Sequence, residues 1–107
     1  MNSFDNKEKA EENRYAHDKE VQFLINARYH KLLALWVAEK SGLDAEETQQ
    51  YKTAFISETV GKNEAETIFA KVKHDLLMNK LHLEEQEIRE AMYTISQEAK
   101  KQVMEKE

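Results

Sequence analysis

At 107 residues and a formal net charge of −5, the chain is long enough for one domain with its own core. It is also too acidic for a nucleic-acid binder, which needs a basic face. No proline, no cysteine and only two glycines, Gly42 and Gly61, accompany a charged fraction of 35%. That leaves little punctuation for a turn-rich β fold and excludes a disulfide framework, so the composition points to an all-α protein. The opening MNSFDNKEKAEE lacks the apolar stretch of a signal peptide, and export is not expected.

Met1 to Glu20 differs from everything after it. Its apolar residues are Met1, Phe4, Ala10, Tyr15 and Ala16, set among ten charged ones. Ser3 as a cap, Asp5 and Glu8 near the positive helix end, and the Asp5–Lys9 spacing still favour helix. With no breaker before Gly42, one helix from Phe4 to Lys40 is allowed, roughly 55 Å long at 1.5 Å per residue. Helices after it reach only about 25–35 Å by the same rise. The first stretch must overhang them, and with so little apolar surface it is expected to be a mobile, partly helical arm when free.

Val21 to Glu39, VQFLINARYHKLLALWVAE, is the central helix. It holds the longest apolar run, Leu32 to Ala38, and the one tryptophan, Trp36. Apolar residues lie on several sides of its wheel, Phe23, Ala27 and Ala34 on one stripe and Leu24, Leu32, Leu35 and Trp36 on the next. Such a helix is expected to be covered all round, with Trp36 in the core. The run is far too short for a bilayer, which needs roughly 20 residues.

Gly42 suits a left-handed helix stop, and Asp44 to Glu47 has capping-box spacing. A second helix runs to about Thr59 with Thr48, Tyr51, Phe55 and Ile56 on its apolar side, ended by Gly61. Asn63 and Glu66 repeat the cap signal for a third, with Ala65, Ile68, Phe69, Val72 and Leu76 at helical spacing and a frayed end at Met78-Asn79-Lys80. Leu83 to about Lys106 forms a fourth, with Ile88, Ala91, Met92, Ile95, Ala99 and Val103 in one stripe. Short connections favour antiparallel neighbours in a four-helix bundle over residues 21–107, with residues 1–20 as the arm.

Catalytic and metal motifs do not emerge. A di-iron bundle needs Glu-x-x-His, but Arg14, Ala27, Lys71 and Asn79 stand three before His17, His30, His74 and His82. His74-Asp75 reads as a solvent-facing pair before it reads as part of a metal site. No nucleophile turn or glycine-rich phosphate loop is present, so the chain reads as a non-enzyme without a metal. His17 and His30 titrate near neutrality and are candidate pH sensors, against the plainer reading of ordinary exposed histidines.

On a helical arm Phe4, Glu11 and Tyr15 share one face, with Lys7 and Asp18 beside them. Two aromatics on a charged segment suit a peptide that folds into a partner's groove; a solvated terminus with incidental aromatics is the plainer reading. Beyond this pattern, Phe4-Asp5-x-Lys7-Glu8-x-Ala10-x-Glu12 and Tyr15-Ala16-x-Asp18-x-Glu20 resemble the N-terminal signature of the zeta-subunit inhibitors of alphaproteobacterial F-type ATP synthases. The resemblance continues through Phe23, Ala27-Arg28, Leu32-Leu33, Trp36, Ile88-Arg89 and Met92.

That resemblance implies a four-helix fold whose arm enters the catalytic interface between the α and β subunits of the synthase head, with γ as a further contact, and stops wasteful ATP hydrolysis. Phe4, Asp5, Lys7, Glu8, Ala10, Glu12, Tyr15, Ala16, Asp18 and Glu20 would then be the partner-binding residues, joined by Glu11 from the face it shares with Phe4 and Tyr15. It also implies a free monomer, cytoplasmic and held at the inner membrane only through the synthase. No cofactor is expected; the resemblance suggests weak adenine-nucleotide binding, for which no motif here locates a site. The alternative is a helical protein–protein interaction module of another pathway, without inhibitory activity.

Overall fold

The computed structural model describes the backbone of residues 3–105 and the side chains of residues 18–105. Four α-helices follow one another, α1 (Ser3–Lys40), α2 (Ala45–Thr59), α3 (Ala65–Met78) and α4 (Glu85–Glu105), and no strand occurs among the described residues. The protein is an all-α four-helix bundle. α1 packs mainly against α4 and α2, and α3 closes the body against α4 and α1.

Local chemistry sets the joints. Gly42, with φ +71°, closes α1: the Gly42 amide donates to the Glu39 carbonyl at 3.1 Å and the Leu43 amide to Ala38 at 3.0 Å. This is the paired-bond helix stop that glycine adopts without a Cβ penalty. Asp44 then caps α2, its carboxylate accepting from the Glu47 amide at 2.8 Å while the Glu47 carboxylate accepts from the Asp44 amide at 3.0 Å. After α2, Val60 at φ −58°, ψ 130° and Gly61 at φ +77° form a tight turn, closed by the Lys62 amide on the Thr59 carbonyl at 2.9 Å.

Two expected joints differ. Glu64, not Asn63, precedes α3, and no side chain caps that helix. The end of α3 is ordered, not frayed: the Lys80 amide donates to Leu77 at 2.9 Å and the Leu81 amide to Leu76 at 2.8 Å. Lys80 takes φ +64° there, the conformation that Gly42 supplies at the end of α1. α4 begins at Glu85, two residues past Leu83.

The core draws on every helix. Leu33, Ala34 and Val37 of α1 meet Phe55 of α2, Ile68, Phe69, Val72 and Leu76 of α3, and Ile88 and Met92 of α4. Ala99 and Val103 complete the buried stripe of α4. These positions follow helical spacing, and their removal from water is the main stabilising contribution to the body. The central helix, however, is not covered all round. Phe23 and Leu24 are 69% and 49% exposed, and Leu32 and Leu35 are only half-buried. Trp36 lies at the edge of the core, half-buried, because its large ring has one side against the cluster. On α2, Ile56 faces outward and Thr59 is the buried residue of the last turn.

Candidate functional site

The candidate site is the N-terminal half of α1 and the seam where it meets the body. α1 is 38 residues long against 15, 14 and 21 for its partners. A rise of 1.5 Å per residue makes it roughly 57 Å long, which accounts for a molecule 65 Å in its longest direction and 28 by 22 Å across. Asp18, Lys19 and Glu20 are exposed, and Val21 is the first described side chain to be buried. Further along, the Arg28 guanidinium donates to Gln102 of α4 at 3.0 Å. No proline or glycine interrupts α1 between Ser3 and Lys40.

Of the residues proposed from sequence for partner binding, Asp18 and Glu20 are described, and both face solvent. Phe4, Asp5, Lys7, Glu8, Ala10, Glu11, Glu12, Tyr15 and Ala16 lie on the α1 backbone with side chains outside the described residues, as does that of His17. Their alignment on one face therefore rests on helical geometry alone.

Sequence reasoning missed the seam beside them. Thr59 reaches His30, so α2 runs back antiparallel along α1 and ends there. Phe23 lies two turns beyond that point and forms, with Asn26, Ala27, His30, Ile56, Val60, Gly61 and Asn63, the lining of a pocket of about 140 Å³. The signal was available. A 15-residue α2 laid back from Lys40 cannot cover position 23.

His30 is not the exposed histidine of the plainer reading; it is 5% exposed. Its Nδ1 lies 3.2 Å from Thr59 Oγ1, and the Thr59 hydroxyl donates its single proton to the Phe55 carbonyl at 2.8 Å. Thr59 Oγ1 is thus the acceptor, and Nδ1 carries the proton. Burial lowers the His30 pKa below its ordinary 6.5.

Asp75 also departs from expectation, since it is no solvent-facing partner of His74. The Tyr51 hydroxyl donates to Asp75 Oδ2 at 2.6 Å, and the Lys71 ammonium lies 3.1 Å from the same oxygen while also pairing with Glu58. Burial first, then the bond to Asp75 and the charges of Asp75 and Glu58, push the Tyr51 pKa up. For Lys71, burial pulls the pKa down, but the bonds to Glu58 and Asp75 prevail and raise it. The cluster braces α2 against α3 and keeps each of its charges paired. Across the α3–α4 seam, the Arg89 guanidinium stacks 4.0 Å from the Phe69 ring and bonds Glu66 and Glu85, each at 3.0 Å. Both arrangements are structural braces.

Chemistry has little to work with. Among the described residues no three His, Asp or Glu side chains gather to hold a metal. A larger depression of about 720 Å³ has its described lining on α4 alone, from Glu85 to Thr94, and is open to solvent. No helix among the described residues is long and apolar enough to cross a membrane. Fold and surface together define a small helical body that carries one long helix, an architecture suited to engaging another macromolecule. The ATPase inhibitor subunit zeta family matches residues 1–102, nearly the whole chain including the full overhang, and the chain belongs to that family. It is therefore a regulatory protein that inhibits an ATPase, not an enzyme. Among curated proteins and among solved structures, none matches the chain.

Proposed function

We propose that the protein inhibits ATP hydrolysis by an F-type ATP synthase, with residues 1–20 as the inserted element and residues 21–107 as a body that stays outside. The arm enters the catalytic interface between α and β subunits as a helix and blocks the conformational cycle; γ is a further contact. The observation that carries this reading is the mismatch in length between α1 and the helices that pack on it, together with the change from exposed Glu20 to buried Val21. An element projecting past its own core suits insertion into a partner's groove, and Phe4 and Tyr15 supply aromatic anchors eleven residues apart. Exposed Phe23 and Leu24, a little over two turns past Tyr15, add apolar surface next to the body. The protein acts in the cytoplasm, peripheral to the inner membrane through its synthase.

The test is ATP hydrolysis by the cognate synthase head with and without the protein. The parent chain is expected to suppress turnover. Phe4→Ala and Tyr15→Ala are each expected to cost about 2 kcal/mol or more of binding, a shift of roughly thirtyfold in the half-inhibitory concentration, with thermal unfolding nearly unchanged. Equal potency of both variants and the parent sinks the anchor assignment; no suppression by the parent sinks the function itself.

A further inference from the structure

His30 sits where the α1–α2 pairing ends, and its surroundings are built for a neutral ring. On α2, Thr59 accepts the Nδ1 proton, and the same hydroxyl is committed to the Phe55 carbonyl. A proton taken up from solvent must therefore go to Nε2. The ring borders the 140 Å³ pocket, room for several waters at about 30 Å³ each, so protons have a route to it.

Among the described residues, nothing facing the ring would compensate the charge. On α1 its neighbours are Tyr29, with ring centres 5.8 Å apart, half-buried Lys31, and Arg28, which bonds Gln102. On α2 the adjacent carboxylate, Glu58, pairs with Lys71. In the turn leading to α3, Lys62 and Glu64 are exposed. The remaining pocket walls are apolar or amide, and the Asn26 carbonyl oxygen already accepts from Gln22. A histidinium here would be a nearly buried cation without a counter-ion, which is costly.

We infer that His30 is an acid-sensitive joint: uptake of one proton at Nε2 disfavours the packing of the end of α2 and its Gly61 turn on α1, so the body of this inhibitor loosens on acidification. The inference goes beyond the inhibitory reading and stands on the body alone. The sign follows from linkage. Burial depresses the folded-state pKa below the ordinary 6.5, so the unfolded chain binds the proton first as pH falls. Stability is full above 6.5 and declines below it, until the folded state also protonates.

Urea unfolding of the full chain between pH 8 and pH 5.5 tests this, with His30→Gln as comparison, since glutamine stays polar and does not titrate. The parent is expected to lose up to tenfold in its folding equilibrium constant per pH unit below 6.5 relative to His30→Gln. Identical pH dependence in the two proteins overturns the inference. Should His30→Gln not fold, an imidazole NMR titration of the parent decides. A His30 midpoint below 6.5, with Thr59 and Gly61 amide shifts moving at the same midpoint, supports the joint; a midpoint at or above 6.5 overturns it.

Discussion

Among the described residues, three hold the left-handed conformation, and only two of them are glycine. Lys80 turns the end of α3 at φ +64° with a Cβ in place, where Gly42 performs the same task for α1 at φ +71°. An L side chain in that region costs about 1–2 kcal/mol. Lys80→Gly is therefore expected to stabilise the body by up to about 1 kcal/mol, the relief of strain offset by greater freedom in the unfolded chain. Gly42→Ala is expected to destabilise by about 1–2 kcal/mol through backbone strain alone, because an added Cβ meets no atom within 4 Å. Thermal unfolding reads both, at roughly 4 °C per kcal/mol for a chain of this size. A drop in midpoint for Lys80→Gly would contradict the strain assignment.

Among the helices, what could be read ahead was what nearest neighbours decide. The bonds at the Gly42, Asp44 and Gly61 joints span three to five positions, and all three joints follow their local chemistry. The buried stripes of α3 and α4 were likewise visible as spacing. The misread residues depend on distant ones. The plainer reading of His30 as exposed fails because its partner, Thr59, is 29 positions on, and the solvent-facing reading of Asp75 fails because Tyr51 is 24 positions back. Phe23 and Leu24 were expected to be covered because the wheel of α1 carries no information about where α2 stops. The candidate arm was legible as composition, yet its residue-by-residue roles rest on the resemblance and the family match, not on a described contact. One consequence belongs to this scale. Removing residues 1–18 leaves Val21 and every core residue in place, so the shortened chain is expected to remain folded while losing inhibition. Far-UV circular dichroism checks it: helix loss should not exceed the deleted residues, and a general collapse would show that the arm supports the body.

The whole molecule is less compact than its length requires. Its radius of gyration is 17.5 Å, against about 13 Å for an average globular chain of this size. That excess comes from one helix serving two roles, spine of the body at its C-terminal half and candidate plug at its N-terminal half. Under the proposed insertion, the body acts as a stop that sets how far the plug enters its partner.

An unbroken α1 also works as a screw. Each residue advances the helix by 100°, so where the arm is bound as one helix with the body, helical geometry ties the angular phase of Phe4 and Tyr15 to the positions of α2, α3 and α4. Two alanines inserted after Glu20 would swing those aromatics by about 200°; four would return them to within about 40° of the starting azimuth while lengthening the rod by roughly 6 Å. Four added residues should thus inhibit far better than two. Equal potency of the two insertions would mean that the rod bends at its root and that the body exerts no torque on the plug.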